Sequence, residues 1–179
     1  NAIVDRITRN QGGGYWCYNN GGCADSSTTQ LVMAGVGAAR GTYTFPGLED
    51  AGRLAAVDAA AARARAAYAQ NGQRGNLHGS ERGHGYRAGR GASSQQTASG
   101  LWAQLIGGAD LNDGSAQAYL RWLYNRYQYT NINASNNGWG GSYYYYMWSS
   151  TKAFTFMEDS GIVPNPGNLS PDDLGTLPS

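Results

Sequence analysis

A glycine- and aromatic-rich loop runs into a Ser/Thr/Gln-started apolar stretch at least twice in this chain, and no other feature restricts the fold as much. The first copy reads GGGYWCYNNGGCADSSTTQLVMAGVGAAR and the second GHGYRAGRGASSQQTASGLWAQLIGG. A weaker third reads NNGWGGSYYYYMWSSTKAF. Taken as anchors, Tyr15, Tyr86 and Trp139 lie roughly 70 and then roughly 50 residues apart, a spacing that suits one helical hairpin per repeat. One hairpin cannot bury both of its faces, so the hairpins should pack side by side.

Six helical stretches follow from apolar periodicity and from start and stop residues. The first covers Asn1 to about Asn10, with Ile3, Val4 and Ile7 on one face. The second runs from about Ser26 to Arg40; Ser27 followed by Gln30 has capping-box spacing, Asp25 adds negative charge at the start, and Gly41 is a stop. Gly35 and Gly37 inside it suggest close helix packing, because glycine otherwise costs about 1 kcal/mol relative to alanine. The third, Leu48 to about Gln70, is nearly all alanine with Arg53, Arg63 and Arg65. A long polar loop, Gln73 to Ala92, separates it from the fourth, Ser94 to Ile106, where Ser93 and Gln96 repeat the capping spacing. The fifth runs from Ser115 to about Tyr129 and the sixth from Tyr143 to about Glu158. Tyr143 to Tyr146 also suits a strand, since tyrosine favours both pleated and packed settings. The expected organisation is a helical domain over residues 1–161 and a Pro/Gly-rich extended tail or linker over 162–179.

Composition narrows the function. Charged residues make up 14% of the chain and the formal net charge is +1, so an electrostatic nucleic-acid binder is not expected. No apolar run reaches the roughly 18 to 20 residues of a membrane span. The 27 glycines follow no collagen period. Lys152 is the only lysine, and the heavy use of alanine and arginine points to a bacterial source. Cys17 and Cys23 flank a short glycine-containing segment. They form either a disulfide, which implies an extracellular or periplasmic setting, or a pair of half-buried thiols. A start at Asn1 fits a mature secreted protein without its leader and also fits a fragment.

The repeat pattern resembles the α/α toroid of the terpenoid cyclase and protein prenyltransferase superfamily, in particular its bacterial prenyltransferase and squalene-oxidase repeat proteins. Those repeats carry a Gly-Gly-Trp-Tyr loop, an Asp-Ser/Asn-Ser-x-Thr-Gln helix start and an Ala-Gly-Leu stretch. Gly13 to Trp16, Asp25 to Gln30 and Ala34 to Val36 match in that order, and Tyr143 to Phe154 is similar to the family's Tyr-rich, Trp-containing helix. The resemblance covers about Gly12 to Met157. It implies an all-α domain of about three hairpins, half a toroid, which is completed by another protein chain or by the rest of a longer chain, or is left open.

Several groups carry possible chemistry, each beside a plainer reading. Tyr143, Tyr144, Tyr145, Tyr146, Trp148 and Trp102, with Trp122 and Tyr119, could line an aromatic cavity for an isoprenoid or a glycan; aromatics at helical spacing also simply pack. Asp110 and Asp113 form an acid pair if buried, or cap the fifth helix. The cyclase acid motif D-x-D-D is not reproduced by Asp110-Leu111-Asn112-Asp113. His84, Tyr86 and Arg87 match by residue type the base, acid and uronate clamp of polysaccharide lyases on a related scaffold, and equally make a polar or anion-binding loop. Cys17, Cys23, His78 and His84 form a possible zinc set, but their spacing fits no compact motif. Asn133 and Asn168 open N-glycosylation sequons, relevant only in a eukaryote. The expectation is therefore a non-catalytic extracellular binding or assembly module without metal or cofactor. The alternative is an enzyme on the same scaffold, either a divergent terpene cyclase or prenyltransferase, or a polysaccharide lyase.

Overall fold

The structure, a computed structural model, describes residues 2–19, 23–126 and 143–175. The fold is mostly helical. Its elements are α1 (Ala2–Arg9), α2 (Ser26–Thr44), α3 (Ala51–Asn71), β1 (Gln73–Arg74), β2 (Arg82–Gly83), α4 (Ser94–Ile106), α5 (Gly114–Tyr124), α6 (Tyr143–Asp159) and the short α7 (Asp172–Gly175).

Helix starts obey capping chemistry. Asp25, rather than Ser27, caps α2: its carboxylate accepts from Thr28 N at 2.7 Å. Asp50 caps α3 through Arg53 N, so that helix begins three residues later than the expected Leu48. Ser93 caps α4 through Gln96 N and Asp113 caps α5 through Ser115 N. Each cap satisfies an N–H that the helix cannot pair internally. Gly41 does not stop α2, which continues to Thr44 before the Pro46–Gly47 turn. The tyrosine run is helical and opens α6. The small β1–β2 hairpin, in the segment expected as loop, pairs Gln73 with Gly83 and Arg74 with Arg82.

Side-chain bonds fix the directions of the helices. Tyr68 OH meets Ser26 Oγ at 2.8 Å and Arg40 meets Asp58 at 2.6 Å, so α3 runs antiparallel to α2. Tyr119 OH donates to Tyr68 O while Arg65 pairs with Asp113, which sets α5 alongside α3 in the same direction. Asp5 pairs with Arg53 and Gln11 donates to Ala60 O, which does the same for α1. Tyr145 reaches Ser99 and Trp148 meets Trp102 edge to face, so α6 runs with α4. The result is two layers. One is a parallel row of α2, α4 and α6; the other is α1, α3 and α5, running the opposite way.

Helix α4 is the centre. All thirteen of its residues are buried, with neighbours α2, α3, α5 and α6 around it. Close approach is made possible by Gly100 and Gly107. A Cβ on Gly100 would lie 2.8 Å from the Tyr68 and Tyr119 rings, and one on Gly107 would lie 2.9 Å from Ala61 O. Gly35 and Gly37, expected to serve that purpose, do not. Gly35 has open space where a Cβ would go, and Gly37 only an ordinary 3.5 Å contact to Ile106.

The segment after α6 is anchored on α5. Asn112 bonds Val163 O and Asn165 N, Gln117 bonds both Leu169 N and O, and Leu174 is buried in the core.

Candidate functional site

The inner row forms a trough. Its floor is Trp102 and Ile106 of α4, one wall is α2 at Ala34, Ala38 and Gly41, and the other is α6 at Lys152, Phe156 and Asp159. The cavity measures about 630 Å³, within the range of pockets that take a small ligand. Ala34, Gly37, Ala38 and Gly41 keep the α2 wall low, with Arg40 and Thr44 bordering it toward the end of the helix. Trp102 and Trp148 meet edge to face at 5.3 Å between ring centroids and 85° between planes. Trp148 stays 39% exposed, and Phe156 and Leu31 are also exposed.

Above this apolar trough a polar lattice joins the three inner helices. Tyr145 OH lies 3.0 Å from Gln30 Oε1 and 3.2 Å from Ser99 Oγ. Gln30 Nε2 donates to Ser149 Oγ at 3.0 Å. Gln30, Ser99 and Ser149 are fully buried, where an unpaired amide or hydroxyl would cost about 1–3 kcal/mol, so the lattice locks the rotation of α6 against α2 and α4.

The tyrosines of α6 divide accordingly. Tyr146 is buried in the core, Tyr145 belongs to the lattice and Tyr144 is 85% exposed. The side chain of Tyr143, like Trp139 and Asn133, lies outside the described residues. Trp122 and Tyr119 are core residues; Trp122 carries Arg126 over its ring at 4.3 Å.

A second chemically dense locus lies between the layers. His84 is fully buried against the rings of Tyr15, Tyr68 and Tyr119. Its Nδ1 sits 2.7 Å from Gly85 O and must carry the proton; Nε2, 2.9 Å from Tyr15 OH, then accepts from that hydroxyl. Burial holds the imidazole down at about 4, while the Gly85 bond acts in the opposite direction. Tyr15, Tyr68 and Tyr119 are all pushed up by burial. Tyr86 is raised chiefly because it hydrogen-bonds the Asp25 carboxylate, and Arg87 projects into solvent. The structure thus brings His84 and Tyr86 onto one loop but gives them separate partners, and neither partner is exposed at a cleft.

Asp110 and Asp113 are close in sequence and differ in role. Asp110 is exposed and accepts from Asn112 N in the turn. Asp113 caps α5 and pairs with Arg65; burial raises its carboxyl, but the Ser115 bonds and Arg65 outweigh that and leave it low. Cys17 and Cys23 are at bonding distance and form a disulfide. Exposed His78 bonds Ser80, and among the described residues no three His, Cys, Asp or Glu side chains are grouped as metal ligands. Among the described residues no helix is long and apolar enough to cross a membrane.

Two features escape sequence reading. Glu81 is fully buried and held by Arg126 at 2.9 Å, Asn125 at 2.6 Å and Leu77 N at 2.8 Å. Burial raises its carboxyl, but these bonds bring it down to about 2. The repeat register also differs from the aromatic anchors. Trp16 N donates to Thr29 Oγ1 and His84 N to Thr97 Oγ1, both at 2.9 Å; Trp16 bridges Asp25 as His84 bridges Ser93. Trp16 therefore corresponds to His84, and Tyr15 to Gly83 rather than to Tyr86. The recurrent Thr in each helix's first turn was the usable signal.

No family model, curated protein or solved structure matches this chain.

Proposed function

We propose that this chain is a non-catalytic, secreted binding module built on half of an α/α toroid, with the trough as its binding face and another chain, or further chain, completing the ring. The carrying observation is the double layer itself: three parallel helices in a row, backed by helices of opposite direction, with exposed aromatic side chains on the free side of the row. That alternation would continue by adding hairpins at the edges next to α2 and α6. The disulfide supports an oxidising compartment. The titratable candidates support a binding role over a chemical one. His84 is engaged by Tyr15 and Gly85, Tyr86 by Asp25, and Asp113 by Ser115 and Arg65. The trough suits an apolar ligand of the isoprenoid type or the hydrophobic face of a glycan.

The test is tryptophan fluorescence, because Trp102 lines the trough and the half-exposed Trp148 meets it edge to face. Titration with farnesol should give a saturable change that Trp148→Ala removes while helix content is kept. Absence of a saturable change with either farnesol or a uronate polymer would overturn the binding reading. Chemical conversion of either probe would favour the enzyme reading, a cyclase-like protein for the first and a lyase for the second.

A further inference from the structure

The thirteen basic and twelve acidic side chains all fall within the described residues, and they are not evenly spread. The double layer has two ends. At the head, α2, α4 and α6 begin and α3 finishes; at the foot, α2, α4 and α6 finish and α3 and α5 begin. Four arginines stand at the head. Arg74 and Arg82 face each other across the β1–β2 pair. Arg87 and Arg90 flank one turn, closed by Arg90 N donating to Arg87 O at 3.0 Å and joined to the start of α2 by the Asp25–Arg87 bridge. None of the four has a carboxylate within ion-pair distance among the described residues, and the two head carboxylates are turned inward, Asp25 onto Thr28 and Tyr86, Glu81 onto Arg126.

The foot is the inverse. Arg40, Arg53 and Arg65 are taken by Asp58, Asp50 and Asp113. Glu49, Asp110, Glu158 and Asp159 remain exposed with no cation at ion-pair distance among the described residues. Lys152 stands about two turns back along α6, on the trough wall, at the helix spacing of about 5.4 Å per turn.

Fold stability does not account for this placement. Glu158 and Asp159 occupy the last turn of α6, where the helix dipole disfavours anions, each by about 0.3–1 kcal/mol. Arg87 and Arg90 lie just ahead of α4, at the dipole end that disfavours cations. Glu158, Asp159, Arg87 and Arg90 are thus set against the neighbouring helix dipoles. Although Arg6, Arg9, Arg63 and Arg121 lie elsewhere on α1, α3 and α5, the unpaired charges gathered at the two ends are opposite in sign and complementary between molecules.

We propose that the arginine head of one molecule docks on the carboxylate foot of a second copy of this chain, giving open head-to-tail association. The two surfaces differ and lie at opposite ends, so the contact is heterologous and extends rather than closing on a two-fold axis. Because these charges, apart from the half-buried Arg82, are exposed, the contact is screened by salt, with a Debye length of about 8 Å at 0.15 M ionic strength. The proposal is independent of what the trough binds.

Sedimentation velocity tests it on the full chain. At about 20 mM salt, species larger than the monomer should grow with concentration, and association should weaken by roughly tenfold or more at about 300 mM. Neutralising the head (Arg74→Gln, Arg87→Gln, Arg90→Gln) should abolish self-association. So should neutralising the foot at residues outside the trough (Glu49→Gln, Asp110→Asn, Glu158→Gln). An equimolar mixture of the two variants, each keeping one intact end, should form 1:1 pairs and nothing longer. A monomer at every concentration and salt overturns the proposal, as does association indifferent to both variants. Salt-sensitive binding of heparin at the head by a strictly monomeric protein also overturns it, and would point to an anionic polysaccharide instead. Helix content by circular dichroism controls for folding, and farnesol binding by the same variants reads the trough separately.

Discussion

The two loop–helix units, residues 12–44 and 83–106, share one backbone scheme and fill it differently. In both, a loop N–H is received by a threonine hydroxyl in the first turn of the following helix, and a short side chain caps that helix. The first unit puts Trp16 at the shared position, where its ring nitrogen reaches Ile7 O of α1. The second puts His84 there, enclosed by three tyrosines. Tyr15 in the first is matched by Gly83 in the second because Trp122 already fills the space; a Cβ on Gly83 would lie 2.6 Å from Trp122 Nε1. The first loop is bolted by a disulfide and the second by the buried Glu81–Arg126 pair. A repeat of this kind conserves where the backbone is held and leaves open how.

The largest effect should come from removing the ionic bolt. Arg126→Met leaves Glu81 buried beside an apolar group, which should destabilise the fold by about 3–5 kcal/mol in chemical denaturation. Adding Glu81→Gln should recover much of that loss; if it does not, the pair is not what holds the second loop.

Next in size is an acid response centred on His84, where Tyr15 of the first unit meets the second. His84 is held at about 4 when folded against an ordinary value of 6.5, so the unfolded chain binds the extra proton between those limits. The stability tied to keeping it neutral is complete above pH 6.5 and is lost as pH falls toward 4, amounting to about 3 kcal/mol. Glu81 adds a further loss only below about 4.5. His84→Gln should flatten the stability slope between pH 6.5 and 4.5, and a wild-type slope that persists in the variant would reassign the effect.

The smallest of the three concerns the covalent bolt. Replacing Cys17 and Cys23 with serine opens a short ring, and short rings restrict the unfolded chain least; about 2 kcal/mol is expected by thermal unfolding. The loss should leave the pH slope unchanged, because the bridge does not touch His84, whose bonds run to Tyr15 and Gly85.

Much of the helical order was legible because local chemistry announces it. The alanine-rich run of α3, the Ser93 cap and the Asp113 cap all carry short-range signals. The rest depends on distant partners. Glu81 and Arg126 are 45 residues apart, and nothing near either marks it as buried. The Tyr145–Gln30–Ser149 lattice likewise joins α6 to α2 across most of the chain. Aromatic identity misdirected the repeat register, since tyrosine at Tyr15 and Tyr86 reflects different neighbours, whereas Thr29 and Thr97 answer to the same backbone need.

Helix α4 is buried along its whole length, with only Trp102 and Ile106 bordering the trough. Its thirteen consecutive positions each answer to a neighbouring helix, so it has no site where drift is neutral. A saturation mutagenesis profile of this chain would show α3 and α6 as stripes of tolerance and intolerance at helical period, and α4 as an unbroken block. Any change there requires a matching change in another helix, which makes α4 the segment that ties the evolution of the units together.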